Sequence, residues 1–261
     1  MDLQLDGKRI FISGSTQGIG FAVASACAAE GANVIVNGRE STRVEEAVAQ
    51  LQAISPGSQV SGIAADVADS TGVHALLDSV GPVDVLVNNV GQFDVRPFTE
   101  ISDEEWQRYV NVNLMSGVRL ARGLLDGMLT RNWGRVIFIG TESAVDVPGD
   151  MIHYGATKAA SLAVSNGLAK LTRGTGVTVN TVLGGPTYSD GVARVVETIA
   201  SARAVPTDDL KQGMVRGTSL LQRFIEPEEI ADVVTYLASP RSSAINGAAL
   251  RADGGVLTTL L

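Results

Sequence analysis

Residues 9–40 read RIFISGSTQGIGFAVASACAAEGANVIVNGRE. A short apolar run ends in a glycine turn, a small-residue stretch of helical period follows, and a second Val/Ile run closes the unit, giving strand, turn, helix, strand. Gly14, Gly18 and Gly20 stand at G-x-x-x-G-x-G spacing where the first strand meets the helix. Glycine there lets the backbone turn tightly, lets a pyrophosphate approach the main chain and lets the helix pack closely on the strand. Unpaired N–H groups at the helix start attract the anion. The position of the pattern after the first strand makes Gly14, Ser15, Thr16, Gln17, Gly18, Ile19 and Gly20 the candidate cradle for a dinucleotide. Glycines that merely end a strand are the structural alternative.

The same rhythm continues outward from this unit. Further strand candidates are QVSGIAA (59–65), VDVLVNN (83–89), RVIFIG (135–140), VTVNTV (177–182) and AALRAD (248–253), with helices starting near Gly18, Glu40, Ser70, Asp103, Ile152 and Pro227. Strands that are almost continuously apolar belong to a parallel sheet covered on both faces. No solenoid repeat, low-complexity tract or Pro-rich linker interrupts residues 1–261, so a single domain is expected. From Gly184 to about Glu226, Gly, Pro, Thr and Ser break up two short amphipathic pieces, a pattern that suits a lid over a site.

Composition narrows the function classes. With 261 residues, 45% of them hydrophobic and 18% charged, the chain can bury a full core and disorder is not expected. The net charge of −8, without any long run of like charges, gives a nucleic-acid surface little support. The one cysteine, Cys27, lies in the small-residue run AVASACAAE and cannot form an internal disulfide, so it reads as a buried helix thiol compatible with a reducing compartment. Neither a charged-and-apolar leader nor an apolar stretch of about 18 residues is visible, and the expected location is cytoplasmic, away from membranes. No metal site is expected.

The chemistry-bearing pattern is MIHYGATKAA (151–160), which sets Tyr154 and Lys158 one helical turn apart on the same face. A nearby ammonium favours phenolate and lowers the tyrosine pKa, so the pair predicts a tyrosine usable as general acid or base near neutral pH. It follows a strand candidate that ends in small polar residues, RVIFIGTES (135–143). At the end of the second strand, an acidic residue would accept from a ribose 2′-OH, whereas a 2′-phosphate needs a cation. The acid is missing there, and Arg39 suits a bidentate phosphate contact.

These motifs together resemble the short-chain dehydrogenase/reductase family. The glycine pattern is similar to the family's T-G-x-x-x-G-x-G, with Ser13 in place of Thr; ADV at 65–67 is similar to the element that meets adenine through Asp66 and the Val67 amide. NNVG at 88–91 stands against N-N-A-G and implies Asn89 and Gly91 beside the cofactor ribose. By the same resemblance Gly38 takes the acidic position and Arg39 follows it, which implies NADP(H), with NAD(H) as the alternative. The family's catalytic Asn maps onto Asn113 within EEWQRYVNVNLMSGVRLARGLL (104–125), leaving Asn111 as the other candidate. Its catalytic Ser falls on Thr141, a departure, and Ser143 lies two residues on; either hydroxyl can donate to a carbonyl oxygen. In NTVLGGPTYSDG (180–191), Gly184 replaces the usual proline, which should loosen the start of the lid, and Gly185, Thr187 and Ser189 are implied at the nicotinamide end. The final helix and strand, with their N-G and D-G-G, extend the resemblance over nearly the whole chain.

The resemblance implies a Rossmann-type doubly wound α/β fold with seven mainly parallel strands in the order 3-2-1-4-5-6-7. The implied activity is hydride transfer between the nicotinamide and a ketone, a 3-oxoacyl group or a secondary alcohol. Tyr154 exchanges the proton, Thr141 or Ser143 polarises the oxygen, and Lys158 lowers the Tyr154 pKa and bonds the ribose. Asn113 holds a water that links Lys158 to solvent. Residues 92–98 and 184–226 should line a pocket for a small-molecule substrate, with Arg96 an ordinary partner of Asp94. A homo-oligomer, tetramer or dimer, is the family's habit. Two rival readings are a cofactor-binding regulator without turnover and an epimerase or dehydratase that keeps its cofactor.

Overall fold

Successive side chains of a strand point to opposite faces of its sheet, and here both faces are apolar. In β1 (Arg9–Ile12), Ile10 and Ile12 enter one core while Phe11 enters another. The computed structural model describes residues 1–203 and 205–260. After β1 come α1 (Gly18–Ala29), β2 (Asn33–Gly38), α2 (Ser41–Ile54), β3 (Val60–Ala64), α3 (Gly72–Val80) and β4 (Val85–Asn88). The second half runs α4 (Asp103–Tyr109), α5 (Ser116–Thr130), β5 (Gly134–Thr141), α6 (Ile152–Leu171), β6 (Val177–Gly184), α7 (Asp190–Arg203), α8 (Thr207–Gly213), α9 (Pro227–Ala238) and β7 (Ala249–Ala252). One core joins Val23 and Cys27 of α1 to Ile230, Val234 and Leu237 of α9. The opposite core joins Val73 and Leu76 of α3 and Leu120 and Met128 of α5 to Phe11, Leu86 and Phe138.

The seven strands form one sheet in the order β3-β2-β1-β4-β5-β6-β7, every pairing parallel, as the sequence implied. Strand order reverses between β1 and β4, which opens a crevice outside their carboxyl ends. The loops after β1, β4 and β5 therefore converge, and they carry the glycine turn, NNVG and Thr141.

Three local features differ from the sequence reading or refine it. The long helix expected over 104–125 contains a π-helical segment, Val110–Met115, between α4 and α5. Such extra residues are concentrated at functional sites, and this one carries the buried Asn113. Gly184 does not loosen the lid: it is the last residue of β6, buried and paired with Thr141 on one side and Ala252 on the other. The irregular chain begins only after it, and α7 is longer than a short piece, at 14 residues. At the far end of this region α9 starts where expected. Pro227 sits in its first turn, Glu226 and Glu229 form a capping box, and Arg223 grips Glu229 with two bonds of 2.6 and 2.8 Å.

Candidate active site

The glycine turn is built from close approaches. Gly14 and Gly18 have φ of +62° and +58°, which glycine adopts without the cost a side chain would bring. A Cβ at Gly20 would lie 2.5 Å from both the Gly14 carbonyl and Asn89 Nδ2. Asn89 donates from Nδ2 to the Gly14 and Ser13 carbonyls at 2.8 and 3.1 Å, and Ser13 Oγ accepts from the Asn89 amide at 3.0 Å. Serine thus does the joining work in the place where the family has threonine. Asn37, at the end of β2, was not singled out from sequence. It accepts from the Gly14 amide at 3.3 Å and donates to the Ile63 and Ala65 carbonyls, tying three loops together.

Between these loops lies a cleft of about 390 Å³, walled by Thr16, Gln17 and Ile19 and reaching Arg39, Asp66 and Val67 at its far end. Two expected cradle residues do not face it with side chains. Ser15 is fully buried, donating to the Ile12 carbonyl and accepting from the Asn37 amide, and Gly20 serves packing against Asn89. The reason is geometric: the turn needs its own polar groups satisfied before it can present amides outward. Asp66 Oδ1 accepts from the Ala68 amide at 2.9 Å. Arg39 has no carboxylate partner among the described residues, and Arg43 on α2 lines the same end of the cleft, where Glu40 holds it at 3.2 Å. Two cations and no free acid at the end of β2 could hold a 2′-phosphate, and the glycine turn could hold a pyrophosphate.

The region after β6 reaches this cradle. Asp190 Oδ2 accepts from the Gly18 amide at 2.8 Å, and Arg194 donates to Gln17 Oε1 at 3.0 Å. A carboxylate from α7 thus occupies an amide at the positive end of α1. Ser189 lines the same cleft, whereas Thr187 turns its hydroxyl back to the Gly185 carbonyl at 2.9 Å. Gly185 is required by the chain beside it, since a Cβ there would lie 2.6 Å from the Asp253 carbonyl.

At the chemical end, α6 carries Tyr154 and Lys158 past the end of β5. Lys158 is buried and donates from Nζ to the Ile139 carbonyl at 3.0 Å; the missing Cβ of Gly91 leaves room for it, since one there would lie 2.9 Å from Nζ. Burial lowers the Lys158 ammonium to about 8. The Tyr154 phenol, which lies beside the Thr141 hydroxyl, is pushed up to about 12, first by burial and further by the Glu142 carboxylate, against a lowering by Thr141. This corrects the expectation of a phenol lowered by Lys158. The lysine stem extends to the β5 backbone, and desolvation dominates the phenol. Phe93 stands edge-on to the Tyr154 ring, centroids 6.2 Å apart.

Asn113 rather than Asn111 belongs to this group. Its Oδ1 accepts from the Gln92 amide at 2.8 Å, and its Nδ2 donates to the Gln92 carbonyl and Thr157 Oγ1 at 3.0 and 3.1 Å. Asn111 instead accepts from Arg119. The Asn113 side chain fastens the loop after β4 to α6, with both Nδ2 protons used and one acceptor position of Oδ1 left over. Thr141 Oγ1 donates to Glu142 Oε2 at 2.5 Å and accepts from the Ser143 amide at 3.2 Å. The Ser143 hydroxyl donates to Glu142 Oε1 at 3.1 Å. Glu142 itself escaped the sequence reading, because an acid after a strand looks like an ordinary loop residue. Arg216, which follows α8, reaches it at 3.3 Å. Arg96 pairs with Asp94 and Glu105 at 3.0 and 2.6 Å, as a surface arginine.

The model of the short chain dehydrogenase family matches residues 8–200. The chain is 43% identical to the uncharacterized oxidoreductase YvaG of Bacillus subtilis, over 100% of both chains. It is 31% identical to the 3-oxoacyl-acyl-carrier-protein reductase FabG of Escherichia coli, over 97% of this chain and 99% of that one. Among solved structures, the L-sorbose reductase of Gluconobacter frateurii in complex with NADPH and L-sorbose superposes with a TM-score of 0.95 at 34% identity, covering 100% of both chains.

Proposed function

The chain belongs to the short chain dehydrogenase family of oxidoreductases, and from that premise we propose that it interconverts a ketone and a secondary alcohol with NADP(H), with Tyr154 exchanging the proton. The observation that carries this reading is the convergence of Tyr154, Thr141 and Lys158 at the carboxyl ends of β4 and β5, beside the glycine cradle. When bound, NADPH supplies a hydride from C4 of its nicotinamide ring. Tyr154, held protonated by burial, is ready at neutral pH to donate to a carbonyl oxygen, which suits the reductive direction. Thr141 is the hydroxyl nearer the Tyr154 phenol; both it and Ser143 donate to Glu142, so polarising the substrate oxygen requires Thr141 to release that bond when the substrate enters. Lys158 is charged at neutral pH and places its ammonium against Gly91, where the cofactor ribose is expected. Asn113 positions both, by fastening the Gln92 segment to α6.

Arg39, which has no carboxylate partner among the described residues, supports NADPH over NADH; Arg43 lines the same end of the cleft but is paired with Glu40. The NADPH of the L-sorbose reductase complex agrees with this preference. Residues 184–226 act as the lid, which includes α7 and α8 and meets the site through Arg216. The test is initial rates of reduced-nicotinamide oxidation, with NADPH and with NADH, over a panel of ketones and 3-oxoacyl esters. NADPH-dependent turnover of at least one ketone is expected. Cofactor binding without turnover of any carbonyl would favour the regulator reading. Product formation without net oxidation of the cofactor would favour an epimerase or dehydratase.

A further inference from the structure

Glu142 is an unexpected residue to find beside a group that must receive a proton and a hydride. The residue is buried and follows directly on Thr141. Removing a carboxylate from water is costly unless it is paired and hydrogen-bonded. The partners here are Thr141 Oγ1, Ser143 Oγ and Arg216 Nη2, at 2.5, 3.1 and 3.3 Å. The turn it occupies does not need the charge, because the Thr141 hydroxyl already accepts from the Ser143 amide. An ionised carboxylate only accepts hydrogen bonds, so it draws the donor protons of both candidate hydroxyls away from a substrate carbonyl. For a plain ketone that arrangement works against the reaction. A substrate that brings its own donor turns it to advantage.

We propose that Glu142 and Arg216 form a substrate subsite that accepts a hydroxyl group on the carbon next to the reacting carbonyl, so that the substrates are neutral hydroxyketones and polyols rather than 3-oxo acids or their esters. The inference rests on the reductase reading above and adds the substrate class. Oε1 already accepts two bonds, from Ser143 and Arg216, whereas Oε2 accepts one, from Thr141. The unused acceptor site is therefore on the oxygen bonded to Thr141, the residue that also touches the Tyr154 phenol. A carbonyl oxygen held by Tyr154 brings the hydroxyl of its neighbouring carbon toward that oxygen. Arg216 is the more exposed member of the pair, 32% against 4%, so the cation sits on the lid side and balances the buried charge. A carboxylate in the same place would meet Glu142 as a like charge.

A site built to hydrogen-bond a substrate hydroxyl rejects the analogue without it, and a charge-assisted bond makes the difference roughly 10- to 100-fold. The experiment measures kcat/KM with NADPH for hydroxyacetone, butanone and acetoacetate, in the unmutated protein, in Glu142→Gln and in Glu142→Asp. NADPH binding and thermal unfolding are followed alongside. The unmutated protein should prefer hydroxyacetone over butanone by that factor and use acetoacetate least. Glu142→Gln should shrink the preference by roughly tenfold, and Glu142→Asp, which keeps the charge, should retain part of it and serves if the glutamine variant does not fold. Equal use of hydroxyacetone and butanone, a preference for acetoacetate, or a ratio unmoved by Glu142→Gln overturns the subsite and leaves the reductase reading standing. Failure to reduce any ketone removes both.

Discussion

Replacing Lys158 by methionine should make the cofactor-free protein more stable at neutral pH while removing its turnover. Methionine matches the length of the lysine stem and brings no charge into the space beneath Gly91. Burial lowers the Lys158 ammonium from 10.5 to about 8. At about 1.4 kcal/mol per tenfold change, the folded protein loses about 3 kcal/mol by holding this charge at neutral pH. The Ile139 carbonyl loses its donor in the variant, at a cost of about 1 kcal/mol, which leaves a net gain of about 2 kcal/mol. The sign with pH follows from the lowered value. The penalty is complete below about 8 and is relieved as pH rises from there toward 10.5, because the folded state sheds its proton first. Urea unfolding of both proteins near pH 7 and near pH 10 reads the difference, other titrating groups being common to both. The variant should lead near pH 7, and its lead should close or reverse near pH 10. A variant that is less stable near pH 7, or a gap that does not move with pH, would refute the reasoning.

Thr141→Val, alike in shape but without the hydroxyl, should lower turnover roughly 10²-fold or more if Thr141 polarises the substrate oxygen. Ser143→Ala should be milder, and the reverse ranking in steady-state kinetics would pass the role to Ser143. Arg39→Ala should weaken NADPH by roughly tenfold or more and leave NADH unchanged in fluorescence titrations; equal losses for the two cofactors would remove the 2′-phosphate assignment. Asp190→Asn takes a charge away from the Gly18 amide and should tighten NADPH by roughly two- to fivefold, since the pyrophosphate no longer competes with it. Weaker binding in that variant would mean that Asp190 latches the lid over a bound cofactor.

Much of the architecture was legible because parallel strands buried on both faces read as unbroken Val/Ile runs. IFI, VIV and VLV each lie within a strand and at the depth expected of one. Gly14, Gly18, Tyr154 and Lys158 were legible because their spacing is local, within one turn of chain or helix. Contacts across long separations were not. Asp190 meets Gly18 over 172 positions and Arg216 meets Ser143 over 73, and no periodicity links such pairs. The π-helical segment was hidden because VNVNLM continues the apolar pattern of the flanking helices; the widened turn shows only in the backbone. The Tyr154–Lys158 spacing predicted a shared face but not where a long flexible stem would end, which is the Ile139 carbonyl. Asn37 and Glu142 look like loop polar residues in sequence, and their burial is set by strands that arrive from elsewhere in the chain.

Whether Tyr154 delivers the proton is tested most directly by rapid mixing of NADPH-loaded Tyr154→Phe with a ketone that the unmutated protein reduces. Phenylalanine keeps the ring against Phe93 and removes only the hydroxyl beside Thr141. NADPH should bind within a few fold of the unmutated protein, as followed by its fluorescence, and then stay reduced when the ketone is added. Oxidation of the bound NADPH at the unmutated rate would contradict the assignment of Tyr154 as the proton donor.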